Sequence, residues 1–187
     1  MTYAEHAIVL IEKALEGKDH IVVAIDGPCA SGKTTLAKNI SEQLSCPVIH
    51  GDHFFLRPEQ RTPERLAETG GNFDRERFAA EIIANLGGGK EFSYRPFVCS
   101  TMSLGEPITI KPSSVILIEG SYSCHPNLRD AYDLRLFTTV SAAEQEKRLL
   151  LREGETKLAV FKEKWIPMEE AYFQAFSVPA CCYILSE

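Results

Sequence analysis

The chain lacks any apolar run long enough to cross a bilayer. Runs such as IVVAI at 21–25 and VILI at 115–118 fall far short of the roughly 20 residues a spanning helix needs. Nor do residues 1–16 read as a secretory signal. Glu5, Glu12 and Glu16 stand where a basic and then apolar stretch would be required, and Ala7, Ile8, Ile11 and Leu15 mark one side of an amphipathic helix instead. There is no Cys-x-x-Cys pair among the cysteines at 29, 46, 99, 124, 181 and 182. They read as small core hydrophobes of a reduced protein, so a cytoplasmic location is expected, without a zinc site or disulfide framework. Positive charge is also short: 20 Lys and Arg against 26 Asp and Glu, a net charge of -6. That excludes a surface built to coat nucleic acid, but not a locally cationic pocket. Repeats and low-complexity tracts are missing, and 187 residues leave room for one domain, 1–187. Oligomeric state stays open, a homo-oligomer included.

What is present is an alternation of apolar strands and helical stretches, the pattern of an α/β protein with a doubly wound parallel sheet between two helical layers. Residues 20–26 form a near-continuous apolar run, as a strand buried on both faces would. A helix over 33–45 and a strand over 47–50 follow. Prolines, charges and Gly70-Gly71 predict a long mobile loop at 56–72. Residues 74–86 are helical and stop at Gly87-Gly88-Gly89. Short alternating segments over 91–112 predict a small β-hairpin excursion. Strands are expected at 114–119, 134–140 and 180–185. Helices are expected at 141–153, with a Ser141/Glu144 capping box, and at 160–176, broken near Pro167.

Directly after the first strand stands Gly27-Pro28-Cys29-Ala30-Ser31-Gly32-Lys33-Thr34, the Gly-x-x-x-x-Gly-Lys-[Ser/Thr] pattern of a phosphate-binding P-loop. Glycines let the backbone curl until successive N–H groups face phosphate oxygens, and the following helix adds its positive end. Lys33 is expected to reach the β- and γ-phosphates, Thr34 to ligate Mg²⁺, and Thr35 to extend the cradle. A nucleoside triphosphate with Mg²⁺ is thus the expected ligand. No Asn-Lys-x-Asp segment is present to read guanine, and the strand over 114–119 ends in Glu119-Gly120 rather than in paired acids. Transfer of phosphate to a small-molecule hydroxyl is therefore expected, with an NTP-hydrolysing regulatory module and a nucleoside monophosphate kinase as alternatives. Asp52, just past the second strand, is placed to accept the acceptor's proton or hold its hydroxyl in line. His53 would orient that acid or line the pocket, and Phe54 and Phe55 would wall it off.

The order Gly27–Thr34, Asp52-His53-Phe54-Phe55, Asn72-Phe73-Asp74, Ile118-Glu119-Gly120, then an arginine-bearing helix, resembles the phosphoribulokinase/uridine kinase family. The resemblance implies a P-loop kinase fold, ATP as donor, Mg²⁺, and a sugar or nucleoside hydroxyl as acceptor, uridine or cytidine first, with pantothenate-like or phosphosugar acceptors next. It implies that Asp52 is the catalytic base, that Asp74 grips the acceptor's ribose hydroxyls, and that Glu119 lies near Mg²⁺ or its waters. Arg148 and Arg152 would be lid arginines drawing charge from the phosphates, with the lid near 153–160. Tyr94-Arg95-Pro96-Phe97 loosely resembles the stretch preceding the family's base-reading residues, which assigns Tyr94 and Arg95 to the acceptor side with loop 56–73 and hairpin 91–112. His53 and Phe55 stand where the family has Ser and Tyr.

Other residues have competing readings. Glu144 is one turn from Arg148, so a surface ion pair is the alternative to a lid role. Asp74 also reads as a cap of the helix that begins there, a role compatible with binding. Arg57, Arg61 and Arg65 could cover acceptor or phosphate from the long loop, though singly each reads as a solvated charge. Cys29, beside the phosphates and a helix N-terminus, is in a setting that lowers a thiol's pKa. Trp165, Tyr172, Phe173 and Phe176 read as helix core.

Overall fold

Thr2 caps the first helix, α1 (Tyr3–Leu15), in a reciprocal capping box with Glu5. The computed structural model describes residues 2–87 and 89–185. β1 (Ile21–Asp26) is buried along its whole length, and its side chains alternate between two cores. Val22 and Ala24 pack into one, Ile21, Val23 and Ile25 into the other, which requires cover on both faces. α2 (Lys33–Leu44) and β2 (Val48–His50) follow.

Segment 56–73 is more ordered than its composition predicts. It holds a 3-10 turn (Pro58–Gln60) and α3 (Pro63–Ala67), capped by Thr62, and is closed at its base by an antiparallel bridge between Phe55 and Phe73. Arg65, expected as a solvated charge, is the reason. Its guanidinium donates to the carbonyls of Gly71 and Phe73 and to both oxygens of Glu76. These bonds tie the loop to the helix that follows, α4 (Arg75–Phe78), which runs through a π-turn (Ala79–Ile83) into α5 (Ala84–Leu86). Gly87 ends that helix; Gly88, part of the expected glycine stop, lies outside the described residues.

The expected hairpin excursion consists of two antiparallel pairs: β3 (Phe92–Tyr94) with β6 (Ile108–Ile110), and β4 (Phe97–Val98) with β5 (Ser103–Leu104). β7 (Val115–Glu119) and β8 (Leu134–Thr138) then flank β1, and β9 (Tyr183–Leu185) completes a parallel sheet in the order β2-β7-β1-β8-β9. α1 and α2 cover one face through Ala7, Ile11, Leu36 and Ile40. The hairpin and the α4–α5 helix cover the other through Tyr94, Phe78 and Ile82.

α6 (Ala142–Glu153) is capped by Ser141, but the capping box is half made. The Glu144 carboxylate turns to Arg148 and Lys147 instead of to the cap's N–H. Where a short flexible lid is expected, Gly154 is followed at once by α7 (Glu155–Val160). The helix break also falls earlier than predicted. A π-turn (Phe161–Trp165) joins α7 to α8 (Ile166–Ala175), and Pro167 sits in the first turn of α8, just past the π-turn. Among the described residues no helix is long and apolar enough to cross a membrane.

Candidate active site

The loop between β1 and α2 begins at Gly27, with φ 143°. A Cβ there would meet the Thr138 carbonyl oxygen at 2.5 Å, so only glycine lets β1 turn this close to β8. The left-handed Gly32 then starts α2. The loop is clamped from outside. The Cys29 N–H donates to Glu169 Oε2 at 2.8 Å, its carbonyl accepts from Gln145 Nε2 at 2.9 Å, and Arg148 Nη1 donates to the Ala30 carbonyl at 3.3 Å. Glu169 Oε1 also accepts from Ser121 Oγ at 2.7 Å. α6 and α8 therefore hold the loop's shape, while Lys33 Nζ braces it from inside through the carbonyls of Gly27 and Pro28, both at 2.8 Å.

Beneath the loop lies Asp26, the fully buried end of β1. Its carboxylate accepts from the N–H groups of Gly27 and Cys124 and from the Tyr172 hydroxyl. Burial outweighs those three donors and raises its pKa to about 6. The folded chain thus keeps a proton that the unfolded chain releases near the ordinary carboxylate value. Between about pH 4 and 6 folding takes up a proton, and Asp26 makes stability decline as pH rises, by roughly 3 kcal/mol at most. Denaturant melts at steps across this range should show that decline, and Asp26→Asn should flatten it. An unchanged slope would assign the pH dependence to another group.

Three strand-end residues meet beyond Lys33. Glu119, at the end of β7, lies 3.3 and 3.4 Å from the Thr34 hydroxyl and 2.6 Å from His50 Nδ1. That bond to Glu119, with Asp52 nearby, raises the His50 pKa. Asp52 follows β2 in a 3-10 turn (Gly51–Phe54). Its side chain reaches the solvent of the cavity, yet the protein packed around it raises its pKa, helped by the charges of Glu119 and Glu169 and opposed by Lys33.

All of this opens into one cavity of about 900 Å³. Cys29–Thr35, Asp52, Phe55, Glu119, Arg148 and Arg152 line it; Gly27 and Pro28 lie behind, offering their carbonyls to Lys33. Four of the residues expected on the acceptor side do not line it. Asp74 is buried as the cap of α4, accepting from the Arg77 N–H between Arg57 and Arg77. His53 bonds the buried Tyr94 hydroxyl at 3.0 Å, and burial lowers its pKa to about 4. Arg95 is spent on the carbonyls of Leu104 and Gly105, where it pins the hairpin. These residues brace the wall from behind.

The cavity also collects residues beyond those given a role in the site. Asn72 and Arg61 come from the ordered loop, and Tyr122 from the turn after β7. Phe161, Trp165 and Glu169, spaced four apart along the π-turn and α8, share one face and line the cavity together. That spacing is the sequence signal that could have found Glu169, and it takes Trp165 out of the helix core. Cys29 is corrected too: burial and the neighbouring Glu169 carboxylate push its thiol up to about 12, outweighing Lys33. Arg148 makes the alternative pair with Glu144 at 3.0 Å and also donates to the Ala30 carbonyl of the P-loop.

This architecture recurs in solved structures. One, described as a "possible uridine kinase" from Bacillus stearothermophilus, aligns over 97% of both chains at 18% identity with a TM-score of 0.71. The chain has the uridine kinase-like P-loop kinase fold. A "putative fructose transport system kinase" from Silicibacter sp. TM1040 shares it at 24% identity and a TM-score of 0.72, over 93% of this chain and 95% of that one. So does YFH7 from Saccharomyces cerevisiae, described as a "putative P-loop containing kinase with a circular permutation". It aligns at 12% identity and a TM-score of 0.66, over 98% of this chain and 97% of that one. No family model matches the chain, and no curated protein does. The P-loop kinase fold accounts for the position of the cavity, at the carboxyl ends of parallel strands where the loops diverge.

Proposed function

We propose that this chain is an ATP-dependent kinase that transfers the γ-phosphoryl group to a hydroxyl of a small molecule, with a nucleoside such as uridine or cytidine the first acceptor class its family resemblance implies. The observation that carries the reading is the convergence of the P-loop and the strand-end acid Asp52 in one cavity. Its volume of about 900 Å³ lies at the upper end of a single small-molecule site, which suits a donor and an acceptor side by side. The names given to the three structural neighbours, all kinases, support a phosphotransferase. One domain carries both halves of the site.

The roles follow from position. The backbone N–H groups of the loop and the N-terminus of α2 receive phosphate oxygens. Lys33 exchanges its two carbonyl partners for the β- and γ-phosphates. Thr34 and Glu119 offer a hard-oxygen donor set, already within 3.4 Å of each other, that fits Mg²⁺. When bound, that ion supplies positive charge to the phosphoryl oxygens. Asp52 accepts the acceptor's hydroxyl proton and holds its oxygen in line. Arg148 and Arg152 meet charge spreading onto the transferred group, so the chain acts mainly through positioning and electrostatics.

ADP release from ATP, measured with and without a panel of nucleosides, sugars and vitamin precursors, tests this. Stimulation by an acceptor, with a matching phosphorylated product, is expected. Hydrolysis unaffected by every acceptor and equally fast in Asp52→Asn would overturn the kinase reading. Arg148→Ala is expected to lower the maximal rate at least about 10-fold while the KM for ATP moves less than about threefold. An unchanged rate would reduce the residue to its ion pair with Glu144.

A further inference from the structure

The segment from 57 to 77 contains five arginines, and four of them are neutralised. Arg57 lies 3.5 Å from Glu59, Arg65 2.7 Å from Glu76, Arg75 2.6 Å from Glu68 and Arg77 3.2 Å from Glu81. Arg61 differs. Its Nε donates to the Leu56 carbonyl at 2.9 Å, and its guanidinium carbon stands 5.8 Å from the centre of the Phe97 ring. Among the described residues no carboxylate lies at ion-pair distance from it. Unlike its four neighbours in this segment it has no acid beside it, and it lines the cavity. It is also on Asp52's side of that cavity. The Phe97 ring that it faces belongs to β4, which packs against the 3-10 turn carrying Asp52.

A second observation comes from the same loop. Asn72 is only 7% exposed and lines the cavity, and its Oδ1 has no hydrogen-bond partner. A buried amide oxygen left unmatched carries a desolvation cost that a ligand's O–H or N–H removes. Around these two groups the lining is apolar: Phe55, Leu56, Leu66 and Met102.

We propose that the phosphate acceptor is an anion: a hydroxylated small molecule whose carboxylate or phosphate group docks on Arg61, while Asn72 Oδ1 accepts from a second hydroxyl or N–H. This rests on the kinase reading and narrows it away from neutral nucleosides. With Nε held by Leu56, the two terminal nitrogens remain as a planar pair of donors, the geometry that matches a carboxylate or phosphate edge. The same cation offsets the repulsion between an acidic acceptor and the Asp52 and Glu119 carboxylates. Tyr94 and Arg95, which the family resemblance assigns to the acceptor side, are committed elsewhere.

The test uses the full-length chain with γ-labelled ATP and a deproteinised small-molecule cell extract. Anion exchange splits the extract, and charcoal frees the retained fraction of nucleotides. Transfer of label to a phosphate ester is expected from the retained fraction. Glycerate against glycerol and ribose 5-phosphate against ribose, assayed alongside, separate carboxylate from phosphate as the docking group. Arg61→Gln is expected to raise the acceptor's KM 10- to 100-fold with the KM for ATP unchanged, and Arg61→Lys to recover part of that loss. Transfer confined to the unretained, neutral fraction would overturn the anionic acceptor and leave the kinase reading standing. So would an Arg61→Gln enzyme that uses the retained fraction as wild type does. No transfer from either fraction, with ATP still bound, would overturn the kinase reading itself and the anionic acceptor with it.

Discussion

Lys33→Ala is expected to reduce phosphoryl transfer by at least about 10²–10³-fold, equivalent to about 3–4 kcal/mol of lost transition-state stabilisation. The side chain is nearly buried and holds the Gly27 and Pro28 carbonyls, so it is already at the loop when the phosphates arrive. Its removal has a structural consequence to separate from the chemical one. Two carbonyls lose a charged donor, a loss of about 1–3 kcal/mol, and Asp26 loses a cation that favours its ionised form. The Gly27 carbonyl keeps Ser121 Oγ at 3.2 Å, and the Cys29 peptide keeps Glu169 and Gln145, so the loop should survive. A thermal melt below the assay temperature would mark unfolding as the cause. A folded variant with normal turnover would remove the phosphate role from Gly27–Thr34.

Asp52→Asn is expected to lower kcat by about 10²–10⁴-fold with little change in ATP affinity, because an amide keeps the shape and loses the proton acceptor. The substitution should also be mild for folding. Asp52 makes none of the hydrogen bonds that hold its turn, and its neighbours Gly51 and Phe54 supply the packing. The raised pKa of Asp52 improves its match to a base working near neutrality. Equal loss of kcat and of ATP binding would instead place Asp52 against the donor.

Part of this site was legible because it is local. The P-loop is eight consecutive residues between a buried strand and a helix, and its glycines are dictated by backbone approach. Asp52 and Glu119 were readable as acids at strand ends, since parallel strands bring their carboxyl ends to one edge. Asp74 was legible in two compatible ways, since an acid before a helix reads the same whether it caps or binds, and the structure shows it capping α4. Loop 56–73 was misjudged because composition reports the absence of apolar periodicity and not the reach of one side chain, and Arg65 orders the segment through four hydrogen bonds.

The strand–loop–helix pattern around Gly27–Thr34 determined by itself an α/β protein with a P-loop, and the shortage of basic residues spoke against a surface built to coat nucleic acid. The alternation of strands and helices determined the parallel sheet, because period and capping act within a few residues. Only the tertiary structure decided which side chains line the cavity. Glu169 reaches the Cys29 N–H from 140 positions away, Arg61 has no carboxylate at ion-pair distance while its loop neighbours pair with nearby acids, and Tyr94 turns its hydroxyl to His53 instead of to the cavity. These outcomes depend on which packed element a side chain meets across the fold, and that information is not carried by any contiguous stretch of the chain.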